Sequence, residues 1–68
     1  MDEVAIQILK ELPNQPKISN LEGVILKNDG TLMRLRSIET KLFNLRADLG
    51  ANNNTDLVLK AKELGVID

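Results

Sequence analysis

With no histidine and no cysteine in 68 residues, the chain lacks the usual general base, the thiol nucleophile and the two commonest soft metal ligands. Chemistry is left to carboxylates, cations and hydroxyls. The carboxylates form no working pair: Asp2-Glu3 sits at the start of the chain with no apolar surroundings to raise a pKa, and Asp29-Gly30 lacks the ligand series and closing glutamate of a calcium loop. The cations do gather. Lys17, Lys27, Arg34, Arg36, Lys41 and Arg46 stand against Glu22, Asp29 and Glu39 across residues 17–47, a local net charge of +3, while residues 1–16 and 48–68 carry −2 each. The total of −1 hides this division. A basic middle suits a polyanion, and the plainer alternative is a solvated helix surface with charge partners one turn away. No enzyme, cofactor or metal site is expected.

The elements that would position these cations follow from periodicity. Val4, Ile8 and Leu12, flanked by Ala5 and Leu9, predict an amphipathic helix over residues 2–12. Pro13 and Pro16 end it by removing donors and pushing their predecessors out of the helical region. Ser19-Asn20-Leu21-Glu22 has the form of a capping box, which predicts a short helix over residues 21–27 stopped by Asn28-Asp29-Gly30. The same Asp-Gly also suits a hairpin turn between Val24-Ile25-Leu26 and Leu32-Met33-Arg34-Leu35. Of the two, the helical reading is preferred. Leu35, Ile38, Leu42, Leu45 and Leu49, with Leu32 extending the row backwards, predict a long third helix over residues 31–49. Gly50 is placed for a left-handed cap, and a last helix opened by Asn54 or Thr55 turns Leu57, Val58, Ala61 and Leu64 inward before Gly65 closes it. On the long helix, a turn of 100° per residue leaves Met33, Arg36, Ser37, Thr40, Asn44 and Ala47 facing away from the leucine seam, with Phe43 at the margin. Small uncharged residues ringed by cations would let such a helix enter a major groove while Arg36, Lys41 and Arg46 meet phosphates.

From Ser37 the chain reads SIETKLFNLRADLGANNNTDLVLKAKELGVI, which resembles the recognition and final helices of the LuxR-type, or response-regulator-type, DNA-binding domain. The residues carrying the likeness are Ser37-Ile38-Glu39-Thr40, Leu49-Gly50, Asn53-Asn54-Thr55, Val58, Ala61 and Leu64-Gly65-Val66-Ile67, with Ile18-Ser19-Asn20 and Glu22 upstream. The resemblance implies duplex DNA as the partner and Glu39, Thr40 and Phe43 as the residues that approach bases. Glu39 would accept from a cytosine amine, and Thr40 or Phe43 would pack on a thymine methyl. Lys17, Arg36, Lys41, Arg46 and Asn54 are assigned to phosphates. Because that family pairs through its last helix, Leu59 is the expected homodimer contact.

These readings combine into a single domain over residues 1–68, an all-α bundle of three or four helices in a helix-turn-helix order, binding duplex DNA as a homodimer and regulating transcription. The alternative is a helical protein-interaction module or an inhibitor of a regulatory protein, docking through Met33 and Phe43 as an exposed apolar pair. No apolar run reaches the roughly 18 residues of a membrane span, and Met1-Asp2-Glu3 has the wrong charge for a secretory signal, so a cytoplasmic chain is expected.

Overall fold

Asp2 opens the first helix by accepting a hydrogen bond from the Ala5 N–H at 2.8 Å, which satisfies one of the free donors of the first turn. The computed structural model describes residues 2–15 and 17–68. Helix α1 runs Glu3–Glu11 and turns Val4, Ala5, Ile8 and Leu9 inward. A short 3₁₀ turn, Leu12–Asn14, follows with Pro13 near its start, where a missing N–H leaves no bond unmade.

The predicted helix over residues 21–27 does not form. A second 3₁₀ turn, Ile18–Leu21, leads into a tight turn in which Val24 N–H reaches the Leu21 carbonyl at 3.0 Å. Glu22 is extended (φ −63°, ψ 128°) and Gly23 takes φ +84°, the type II geometry that demands a left-handed residue at its third position. A helix cannot pass through that conformation. The chain instead makes the hairpin turn that Asn28-Asp29-Gly30 also permitted. Lys27 N–H donates to the Thr31 carbonyl and Met33 N–H to the Ile25 carbonyl, each at 2.8 Å, around a single antiparallel bridge between Leu26 and Leu32. Asp29 locks the turn by accepting from both the N–H (3.0 Å) and the hydroxyl (2.7 Å) of Thr31.

The hairpin shortens the long helix. Helix α2 spans Leu35–Leu49 rather than residues 31–49, because Met33 is tied into the bridge and Arg34 is extended. Side chains before Leu35 therefore follow a period of two, not 3.6. Met33, expected to face outward, lies beside Ile25 in the core at 8% exposure, and Leu32, expected to extend the buried seam, points to solvent. Glu22, read as half of a capping box for its own helix, caps α2 instead, accepting from the Leu35 N–H at 2.7 Å.

Gly50 ends α2 at φ +69°, and the paired bonds from Ala51 N–H to the Arg46 carbonyl and from Gly50 N–H to the Ala47 carbonyl complete a Schellman motif. Helix α3, Asn54–Glu63, is capped by Asn53, one residue earlier than predicted, whose side chain accepts from the Asp56 N–H at 2.8 Å. It buries Leu57 and Ala61. Leu64, expected inside, is 64% exposed because the helix stops at Glu63 and the reversal at Gly65 returns Ile67 to the core in its stead.

The result among the described residues is a small helical bundle of three α-helices, with α2 packed on both α1 and α3. The core joins Val4, Ile8, Leu9, Leu21, Ile25, Ile38, Leu42, Leu45, Leu57 and Ile67, and no polar or charged side chain is buried among the described residues. No helix of the described residues is long and apolar enough to cross a membrane.

Candidate nucleic-acid interface

Burying the seam Ile38, Leu42 and Leu45 against α1 and α3 fixes what α2 shows to solvent, because those three residues cover only one side of the cylinder. Arg36, Ser37, Glu39, Thr40, Phe43, Asn44 and Ala47 are all exposed. Of these, Arg36, Ser37, Thr40 and Asn44 join Lys41 around a shallow depression of about 340 Å³. Its rim thus offers a guanidinium, an ammonium, the Ser37 hydroxyl and an amide, a donor set matched to phosphate oxygens. The Thr40 hydroxyl donates back to the Arg36 carbonyl at 3.1 Å, which fixes its rotamer.

The predicted phosphate residues fall into four groups. Arg36 is exposed and has no ion-pair partner among the described residues. Lys41 is half-buried, and its ammonium donates to the Asp2 carboxylate at 2.6 Å, tying α2 to the cap of α1. Arg46 donates to the Asn54 side-chain oxygen, also at 2.6 Å, so these two clamp the end of α2 to the start of α3 across the Gly50 turn. Lys17 lies off α2, exposed at the entry to the second 3₁₀ turn. Of the base-facing candidates, Glu39 and Thr40 are open to solvent and Phe43 is 65% exposed. Leu59, the expected dimer contact, is exposed on α3 beside a groove of about 370 Å³ lined by Leu12, Ile18 and Val58.

Two long-range contacts, one of them at this face, had no local signal in the sequence. One is the Asp2–Lys41 pair, between residues 39 apart. The other is Gln7, whose side-chain amide both donates to the Leu26 carbonyl (2.9 Å) and accepts from the Leu26 N–H (3.1 Å), holding the hairpin on α1. The hydrogen bond from Lys41, then that from the Ala5 N–H, holds the Asp2 carboxyl below its ordinary value of 3.8. A folded-state pKa that is depressed stabilises the fold fully above the unfolded value and loses that contribution as pH falls through the folded one. Asp2→Asn keeps a capping side chain but not the charge. The wild type should therefore exceed it in thermal stability at neutral pH by at most about 1 kcal/mol, since the pair is surface-exposed. In melts followed by circular dichroism that gap should close below pH 3.8. A gap of unchanged size in acid would assign the stabilisation to something other than this pair.

No three histidine, cysteine or acidic residues are grouped to hold a metal among the described residues. No protein-family model, no curated protein and no solved structure matches the chain.

Proposed function

We propose that the chain is a helix-turn-helix protein that binds duplex DNA through the outward face of α2 and regulates transcription by occupying or blocking a promoter. The observation that carries this reading is that, among the described residues, no other element covers the face opposite the leucine seam, where Arg36, Ser37, Thr40, Asn44 and Ala47 are exposed. A helix of 15 residues is about 22 Å long and, at about 10–12 Å across, suits a major groove of similar width. In this mode Glu39, Thr40 and Phe43 approach base edges. Arg36 meets phosphates directly and Lys41 does so once it exchanges Asp2 for a phosphate; Lys17 is a further contact, as are the Asn54 amide N–H and Arg46 once it releases the Asn54 side-chain oxygen. The hairpin replaces the short helix and turn expected before α2, and the turn of residues 50–53 follows α2 where a recognition helix would come second, so the exposed face of α2 and not the helix order supports this reading.

So few cations make the electrostatic attraction modest, and one copy contacting three or four phosphates binds weakly at physiological salt. A second copy doubles the contacts. Titration of a labelled duplex by fluorescence anisotropy at several salt concentrations tests the reading. Affinity should fall with a log–log slope of about −3 per copy, from roughly −0.9 per phosphate. Absence of binding to both random and genomic duplex at low salt ends it. The alternative of a protein-interaction module keeps one favouring observation, the exposure of Phe43; its intended companion Met33 lies in the core.

A further inference from the structure

The hairpin has two edges, and they are treated differently. In the bridge between Leu26 and Leu32, both residues form the non-hydrogen-bonded pair, so the N–H and C=O of each point away from the partner segment. On the Leu26 side those groups are both met by the Gln7 amide, which imitates a neighbouring strand. On the Leu32 side neither the N–H nor the C=O has a hydrogen-bond partner among the described residues. The Leu32 side chain is 54% exposed, and Leu26, on the same face, is 45% exposed. Charged or proline residues commonly blunt such an edge, and Thr31-Leu32-Met33 contains none.

We infer that two copies of this chain pair through the Leu32 edge, antiparallel about a two-fold axis at Leu32. Any extended segment could meet these two groups; a second copy is the occupant selected because it also brings its own Leu32 and Leu26 to the apolar row and its Asp29 to Arg34. When a residue pairs with its own symmetry mate, its N–H and C=O meet the partner's C=O and N–H, and both unmet groups of both copies are satisfied at once. This register lines up Leu26, Leu32 and the partner's Leu32 and Leu26 as one apolar row on one face. It also sets Arg34 opposite the partner's Gly30, beside the turn that carries the partner's Asp29. Arg34 shares the exposed face of Leu32 by the period of two, and Asp29 is kept ionised by its two Thr31 donors. The charge match is repeated at both ends of the ladder. Leu59 on α3 offers exposed apolar surface too, but its backbone groups belong to a helix and have nothing left to pair.

The pairing stands independently of DNA binding. Its interface is small, so self-association should be weak, with the mass in sedimentation equilibrium rising from monomer towards dimer between about 10 µM and 1 mM. The Leu32 amide should exchange with deuterium more slowly as concentration rises. Leu32→Lys sets like charges face to face on the axis and should leave a monomer at every concentration, with unchanged circular dichroism because the side chain it replaces is exposed. A chain that stays monomeric at about 1 mM overturns the inference. So does a dimer that survives Leu32→Lys but is dissolved by Leu59→Lys, and so does a Leu32 amide whose exchange ignores concentration.

Discussion

Leu42→Ala should bring the chain to the edge of unfolding under conditions in which Phe43→Ala, one residue along, leaves it folded. Leu42 has no exposed surface and lies mid-seam on α2, the helix that packs on both α1 and α3. Truncating a leucine so enclosed removes its transfer free energy and leaves a cavity, a cost of about 2–5 kcal/mol. At about 0.05–0.15 kcal/mol per residue, a chain of this size has roughly 3–10 kcal/mol in total. The loss is thus comparable with the whole. Phe43, 65% exposed, makes its contacts mainly with solvent, and its truncation should cost no more than about 0.5 kcal/mol. Urea unfolding followed by circular dichroism at one fixed concentration measures both, since self-association would otherwise shift the midpoint. Equal losses would mean that the seam is not where the stability resides.

The contrast between these neighbours was readable in the sequence, because the spacing of Ile38, Leu42 and Leu45 decides the inside of α2 without help from the rest of the chain. The caps at Gly50 and Gly65 were readable for the same reason: each is a local backbone requirement met by the one residue without a side chain. Where the reading failed, distant residues decided the outcome. Ser19-Asn20-Leu21-Glu22 fits a helix start, but the Glu22 carboxylate found the Leu35 N–H and the Gln7 amide held Leu26 in an extended course. Both partners lie more than ten residues away, outside any local pattern. Once the hairpin formed, the change of period reversed Leu32 and Met33 together, exposing the first and burying the second. The surface was legible to the same extent. The outward face of α2 follows from its wheel, whereas the engagement of Lys41 by Asp2 and of Arg46 by Asn54 depends on how three helices come together.

That engagement determines which cations should matter most for nucleic acid. Reversing Arg36 and Lys41 together, as Arg36→Glu with Lys41→Glu, should weaken binding to duplex DNA by two orders of magnitude or more at low salt. Each lost charge-assisted hydrogen bond is worth about 1.5–3 kcal/mol, and each introduced carboxylate adds repulsion from phosphate. The salt slope should fall by roughly 1 for each phosphate contact removed. The two single variants should differ. Arg36 has no partner to leave, so Arg36→Glu should act mainly on binding and move the melting curve little, the gain of a carboxylate in the first turn of α2 being set against its repulsion of Glu39. Lys41 must first exchange Asp2 for a phosphate, so part of its gain from DNA is offset by the ion pair it gives up, and Lys41→Glu should also lower stability by facing Asp2 with a like charge. Asp2→Asn then becomes informative in the opposite direction: freeing the ammonium should raise DNA affinity slightly, by less than about 1 kcal/mol. If the double reversal left affinity and salt slope intact while the chain remained folded, the depression bordered by Arg36 and Lys41 would not be where phosphate binds, and the outward face of α2 would have to meet a partner through Phe43 instead.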